Sequence, residues 1–176
     1  NRSLPVRVAG DMSFTSISGG FTHTCALASE GSTYCWGENG TSALGDGTTI
    51  GRLEPALVSG GLAFASVGAG QSHSCGLTTD GVAYCWGVNA QGQLGDGTTT
   101  TRPIPTLVAG GHIFQQLAVG GLHTCGLTSS GAALCWGENV DGQVGDGTTV
   151  DRPDPTPVAA PLTFQQIVAG GSHTCA

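Results

Sequence analysis

Short apolar runs separated by glycine-rich breaks recur along the whole chain, and their lengths are those of β-strands. In FASVGAGQSHSCGLTT, Phe64 to Thr79, one run is followed by a glycine break and a second run. A third run, VAYCWGV from Val82 to Val88, precedes a turn-rich return, QLGDGTTTTRPIPTLV from Gln93 to Val108, whose prolines suit an edge strand. No apolar run has helical spacing, so the pattern predicts an all-β protein.

The second and third runs predict a β-hairpin in which cysteines face each other. If Thr79-Asp80-Gly81 forms a three-residue loop with glycine in the left-handed position of a G1 bulge, Cys75 lies opposite Cys85. Alternate pairs of an antiparallel ladder bring Cα atoms to about 4.5 Å, a separation that permits a disulfide. The loops SEG and SSG give the same facing in two other units. The sequence therefore predicts three disulfides: Cys25–Cys35, Cys75–Cys85 and Cys125–Cys135.

Three disulfides would place the protein in an oxidising compartment, secreted or at the cell surface. Two alternatives remain open. A zinc site could draw on His23, Cys25 and Cys35, but structural zinc usually takes four ligands with short cysteine spacing, and neither is present. The cysteines could also be reduced core residues of a cytosolic protein.

The pattern repeats every 50 residues over the whole chain. Cys25, Cys75, Cys125 and Cys175 keep this step. So do Trp36, Trp86 and Trp136; Asp46, Asp96 and Asp146; and Arg2, Arg52, Arg102 and Arg152. Repeats of this length with internal turns favour propeller blades, each covered by its neighbours on both apolar faces. We expect one repeat array over residues 1–176, with units 1–50, 51–100, 101–150 and a partial unit 151–176, and we assign the tryptophans to packing between blades.

The repeated polar residues predict structural roles, and no catalytic, cofactor or metal site is expected. His23, His73, His123 and His173 recur at one place in the unit, whereas an active site needs a single constellation. We interpret them as hydrogen-bonding residues that tie a loop to the next blade. The repeated aspartates lie in Gly-Asp-Gly turns and are expected to accept backbone N–H groups or pair with the repeated arginine, with weak cation binding as the alternative.

The charge balance argues against polyanionic partners. The chain has 12 acidic residues, five arginines and no lysine, for a formal net charge of −7. Such a surface repels phosphate, so we expect no nucleic-acid binding and no membrane insertion, since no apolar run approaches spanning length. Two sequons, at Asn1 and Asn39, could accept a glycan, the second in a turn.

The repeat unit GG-x-x-H-T-C-x-L-x-x-x-G-x-x-Y-C-W-G-x-N-x-x-G-Q-L-G-D-G-T resembles that of the regulator-of-chromosome-condensation family. The resemblance covers the whole chain and implies a propeller of four-stranded blades, seven in that family. Paired cysteines resemble those of its secreted bacterial members.

The resemblance does not indicate a single function, because members of this family have different functions. The family includes a nuclear guanine-nucleotide exchange factor with basic surfaces, a plant ultraviolet-B receptor and a secreted β-lactamase inhibitor. The receptor's tryptophans lie two positions before the repeated histidine, where this chain has Phe21, Gln71, Gly121 and Gly171.

The chain holds three whole periods and half of another, so Cys175 lacks a partner ten residues further on. We therefore expect either a fragment of a longer polypeptide or an oligomer in which blade edges pair between subunits, and not a stable lone monomer. The expected function is an extracellular, non-enzymatic scaffold that binds a protein partner or itself. The alternative is a structural subunit of a filament or surface assembly; an inhibitor-like propeller or an exchange factor ranks lower. The contact candidates, in loops that differ between units, are Glu38, Asn39, Asn89, Gln91, Glu138 and Asp141.

Overall fold

A computed structural model describes residues 4, 7–159 and 162–176. The first sequon and the first repeated arginine, Asn1 and Arg2, lie outside these residues. The strands, in chain order, are β1 Phe14–Gly19, β2 His23–Ala28, β3 Thr33–Gly37, β4 Arg52–Leu57, β5 Phe64–Ala69, β6 His73–Thr78, β7 Ala83–Gly87, β8 Arg102–Leu107, β9 Phe114–Val119, β10 His123–Thr128, β11 Ala133–Gly137, β12 Arg152–Pro157, β13 Val168–Ala169 and β14 Thr174–Cys175. The only helical element among the described residues is the three-residue turn Ala109–Gly111, and no helix there has the length or apolar character to cross a membrane.

The strands form three four-stranded antiparallel sheets, each with its strands in sequence order, and one two-stranded sheet. We call these blade 1 (β1–β4), blade 2 (β5–β8), blade 3 (β9–β12) and half-blade 4 (β13–β14). The all-β prediction is confirmed. The blades are offset from the 50-residue units counted along the sequence, since the fourth strand of each blade, such as β4 at Arg52–Leu57, falls in the next unit. The fourth strand of each full blade lies at a sheet edge, as the prolines of β8 predicted.

The central hairpin of each blade has the predicted register. In blade 2 the loop glycine, Gly81, has a φ of 83°, and Thr78 N–H donates to Val82 O at 3.0 Å. A side chain at this position would be strained, which is why the loop ends in glycine. The ladder then pairs Cys75 with Cys85, and the other two hairpins pair their cysteines in the same way.

The hydrophobic core lies between blades. The half of blade 1 that faces blade 2 contributes Cys25, Leu27 and Cys35 to a cluster that contains Phe64 and Trp86 of blade 2. A second cluster joins the opposite face of blade 2 to Trp136 of blade 3. Blade 2 is therefore buried on both faces, because each of its faces contributes residues to a different cluster.

The backbones of neighbouring blades are in direct contact at the turns that follow their first strands. There Gln71 N–H donates to Gly121 O at 3.0 Å, linking the turns of blades 2 and 3. A Cβ atom on Gly70 would lie only 2.5 Å from Gly120 O. Glycine is required at this turn because the backbone of the next blade occupies the space of a side chain.

Candidate interaction site

The structure contains the three predicted disulfides, one in each hairpin. The paired Cα atoms are 4.1 Å apart in Cys25–Cys35 and Cys75–Cys85, and 4.0 Å apart in Cys125–Cys135. Their sulfurs bond to each other, so they are not zinc thiolates or free thiols in this structure. Within the described part of the chain, no group of three or more His, Cys, Asp or Glu residues is placed to hold a metal ion. Cys175 is a free, exposed thiol.

A chain of hydrogen bonds connects each blade to the next, and we call it the inter-blade relay. Between blades 2 and 3, His73 Nε2 lies 3.0 Å from Thr124 Oγ1, which donates to Gln93 O at 3.0 Å. The indole of Trp136 donates to the same carbonyl at 3.1 Å. The relay recurs as His23–Ser74–Ala43 with Trp86, and as His123–Thr174–Gln143.

The relay fixes the protonation state of its histidines. A serine or threonine hydroxyl has one proton, and here that proton goes to a carbonyl oxygen, so the hydroxyl must accept from the histidine Nε2–H. Nδ1 of His23, His73 and His123 is buried and has no hydrogen-bond partner. The rings are neutral, because a proton on Nδ1 would be a buried donor without an acceptor. Burial lowers the pKa of His73 to about 3 and those of His23 and His123 to about 4.

This geometry differs in one detail from the sequence interpretation. Each of the three histidines of the relay begins a strand, and it reaches a loop only through a hydroxyl of the next blade. Sequence reasoning missed that hydroxyl, although Thr24, Ser74, Thr124 and Thr174 recur at the same 50-residue step. The pairs are also unsuited to nucleophilic catalysis, because Ser74 and Thr124 are fully buried and already donate their protons to carbonyls.

The predicted contact residues Asn39 and Asn89 are not on the surface, and that prediction is wrong. Both side chains are 0% exposed. The amide of Asn89 donates to Asp96 Oδ1 and Thr98 O, each at 3.0 Å, and its oxygen accepts Leu94 N–H at 2.9 Å. These asparagines brace the long loop after the third strand from inside. The expectation that the turn at Asn39 could carry a glycan is also wrong, since this amide is buried in the same bonds.

The repeated aspartate belongs to the same brace. Asp96 Oδ1 accepts hydrogen bonds from the N–H of Thr98 at 3.0 Å and from the hydroxyl of Thr98 at 2.7 Å. Asp96 Oδ2 accepts from Arg102 at 2.7 Å. Burial acts to raise the pKa of Asp96, but the bonds from Thr98 and Arg102 outweigh it and hold that pKa below its usual value. The same balance holds for Asp46, and it lowers the pKa of Asp146 to about 2. Both oxygens are therefore engaged by protein donors.

The remaining contact candidates lie at one end of the blades, which we call the loop face. It carries the turns between first and second strands and the long loops at 38–51, 88–101 and 138–151. Glu38 and Asp141 are exposed, and Gln91 and Glu138 are partly exposed. Apolar side chains are exposed beside them, including Phe21 at 79% and Val140 at 60%.

Positive charge is neutralised throughout the described surface. Each of the four described arginines forms an ion pair with an aspartate: Arg7–Asp11, Arg52–Asp46, Arg102–Asp96 and Arg152–Asp146. The other acidic residues have no such partner among the described residues, and the chain has no lysine. The loop face is consequently acidic, with exposed apolar groups among its carboxylates.

Solved structures with the same fold come from several organisms. Human WBSCR16 is 21% identical, with a TM-score of 0.87 over 98% of this chain and 47% of its own. Yeast Prp20p is 22% identical, with a TM-score of 0.79 over 92% of this chain and 42% of its own. The ectodomain of the Arabidopsis thaliana receptor kinase ACR4 is 25% identical, with a TM-score of 0.64 over 95% of this chain and 52% of its own. The chain thus spans about half the length of these structures.

Sequence comparison gives the family. The regulator of chromosome condensation (RCC1) repeat matches residues 30–77, 80–127 and 130–176, and a second description of the same repeat matches 14–41, 64–93 and 114–143. No curated protein matches the chain. With most of its length matched by the repeat, this chain belongs to the regulator of chromosome condensation (RCC1) repeat family.

Proposed function

We propose that this protein is an extracellular, non-enzymatic scaffold that binds a protein partner through its loop face. The observation that carries the proposal is the combination of exposed carboxylates and exposed apolar side chains on that face, on a surface whose described arginines are all paired. The loops that present these groups are held rigidly by the buried asparagine and aspartate braces, so little conformational entropy is lost on binding.

Two observations support an extracellular location. Each full blade has one buried disulfide, and disulfides persist in oxidising compartments. The solved ACR4 structure, which is 25% identical to this chain and similar to it in fold, is the ectodomain of a receptor kinase.

The charge of the loop face defines the chemistry of the partner. Glu38, Glu138 and Asp141 would attract a protein with exposed lysine or arginine, and Phe21 and Val140 would contact apolar groups beside them. The same carboxylates repel nucleic acid. Yeast Prp20p binds Gsp1p and histones, but at 22% identity the similarity shows the fold alone, and we do not propose those partners here.

A second candidate is self-assembly into a filament or surface layer. The observation that favours it is the outer face of blade 1, where Trp36 is only partly buried and Ile17 is 63% exposed. Sedimentation of the purified chain over a range of concentrations would distinguish a monomer from an assembly.

Charge reversal tests the loop-face proposal. The triple variant Glu38→Lys, Glu138→Lys, Asp141→Lys is compared with a control that changes three exposed carboxylates elsewhere, Glu30→Lys, Glu54→Lys, Asp154→Lys. Both carry the same net charge. We expect capture of a partner from the extracellular fluid of the source organism to be lost in the loop-face variant and retained in the control, and to weaken as salt is added. Equal loss in both variants would contradict the proposal.

A further inference from the structure

A cavity lies between blades 1 and 2, at the end of the blades opposite the loop face. Both blades are complete four-stranded sheets. The hairpin loop of blade 1 and the segment that links β4 to β5 enclose a volume of about 220 Å³, and the lining includes Glu30, Thr33, Leu57, Val58, Leu62 and Ala63. An apolar protein cavity of about 150 Å³ holds benzene, so this one has room for a small organic molecule.

One residue of the lining has a polar atom without a partner. Thr33, the first residue of β3, is 2% exposed, and its Oγ1 is buried and makes no hydrogen bond. Ala83 and Ala133 occupy the equivalent positions of the other two blades, so the fold does not require a hydroxyl here. A buried hydroxyl is unfavourable while it has no partner. Its presence therefore points to a ligand that supplies the missing hydrogen bond.

The junction that holds the cavity is more open than the next junction along the chain. The Cβ of Ala63 would be 3.1 Å from a Cβ atom on Gly31, the glycine of the blade 1 hairpin loop. In the next junction the larger Ile113 takes the place of Ala63, and its Cγ2 would be 2.7 Å from a Cβ atom on Gly81. Gly81 is buried beneath that side chain, whereas Gly31 is partly exposed. The small side chain of Ala63 therefore leaves an entrance to the cavity.

The lining determines the chemistry of the occupant. Leu57, Val58 and Leu62 supply an apolar surface. Glu30 is the one charged residue of the lining, and it is exposed, so a charged group inside the cavity would have no buried counter-ion. The carboxylate of Glu30 would also repel an anion at the entrance. The hydroxyl of Thr33 can both donate and accept a hydrogen bond, and another hydroxyl matches it in both roles.

We propose that this cavity binds a small, uncharged aliphatic alcohol. The hydroxyl of the alcohol forms a hydrogen bond with Thr33 Oγ1, and its hydrocarbon chain packs against Leu57, Val58 and Leu62. The site lies at the opposite end of the blades from the loop face, and the inference does not rest on the proposed function.

Titration of the isotope-labelled whole chain with n-pentanol, followed by two-dimensional NMR, tests the site. We expect saturable shifts at the amides of Thr33, Val58 and Leu62, and these shifts give a dissociation constant. Pentanoate and pentylammonium have the same chain length and should bind at least about ten times more weakly, because burying a charge without a counter-ion is unfavourable. Shifts that do not saturate, or an ion that binds as tightly as pentanol, would overturn the proposal.

Two substitutions remove the parts of the site one at a time, and each introduces a residue that another blade has at the equivalent position. Thr33→Ala matches Ala83 and removes only the hydroxyl, so the dissociation constant for pentanol should rise about fivefold. Ala63→Ile matches Ile113, narrows the entrance and should abolish the saturable shifts.

The matched control is Thr33→Ser, which keeps a hydroxyl and should bind pentanol as tightly as the parent chain does. The amide spectrum of each variant without ligand checks that it is folded. Unchanged binding of pentanol by either Thr33→Ala or Ala63→Ile would refute the proposal.

Discussion

Blade 2 and the two ends of the array have the same sequence signature but different surroundings. Trp86 and Trp136 are 0% exposed, whereas Trp36 on the outer face of blade 1 is only partly buried. Phe64 and Phe114 are buried, but Phe164 of half-blade 4 is partly exposed. A blade does not bury its own apolar residues; the neighbouring blade does, and so stability is a property of each junction. Each prediction below compares a residue at a junction with a counterpart at an end or on the surface.

The largest difference is expected for the tryptophans. Trp86→Ala should lower the free energy of unfolding by about 3–5 kcal/mol, because it leaves a large cavity in the cluster between blades 1 and 2 and removes the bond to Ala43 O. Trp36→Ala should cost much less, since solvent already reaches that ring. Urea denaturation followed by circular dichroism measures both. A similar cost for the two variants would mean that the junctions do not determine stability.

The buried histidines should make the junctions sensitive to acid. The pKa of His123 is about 6.5 in the unfolded chain and is lowered to about 4 in the fold. At pH values between these two, the unfolded state therefore binds more protons at this histidine than the folded state does. Unfolding free energy is therefore intact above pH 6.5 and falls as the pH drops towards 4, by about 3 kcal/mol for this histidine.

The control for acid sensitivity is an exposed residue that does not titrate. His123→Gln should flatten the decline in stability between pH 6.5 and 4, because glutamine does not titrate there. Gln115→Asn changes an exposed amide of blade 3 and should leave the slope as it was. Denaturation midpoints measured at half-unit pH steps would show this, and parallel curves for both variants would contradict it.

Loss of a disulfide should have the next largest effect. Replacing Cys75 and Cys85 together with serine should lower the unfolding free energy by about 2–3 kcal/mol, since the crosslink closes a loop of ten residues. Cys175→Ser removes a free thiol outside any crosslink and should change stability by less than about 0.5 kcal/mol. Thermal unfolding with and without reductant checks both variants. If reductant lowered the unfolding temperature of the double-serine variant as much as that of the parent chain, this assignment would be wrong.

The repeated signature explains how much the sequence revealed. The hairpin register and the cysteine pairs follow from local spacing, because a loop such as Thr79–Gly81 fixes which residues face each other. The positions of Asn39 and Asn89 could not be predicted, because a polar residue in a loop is usually exposed. In the structure, hydrogen bonds to Asp46 and Asp96 hold these two side chains in the interior.

The smallest predicted difference concerns the aspartates. Asp96→Asn should cost about 1–2 kcal/mol, because its carboxylate is nearly buried and accepts bonds from Thr98 and Arg102 that an amide cannot accept equally. Asp11 makes an ion pair with Arg7 at 3.0 Å, but both side chains are largely exposed. Asp11→Asn should therefore change stability by less than about 0.5 kcal/mol, as exposed ion pairs are screened by solvent. Urea titrations in 0.05 M and 0.5 M salt distinguish the cases, since a brace that depends on buried hydrogen bonds should keep its contribution at high salt. If salt abolished the effect of Asp96→Asn, the aspartate would act as a surface charge, and the loop face would lack the rigid support on which its proposed binding role depends.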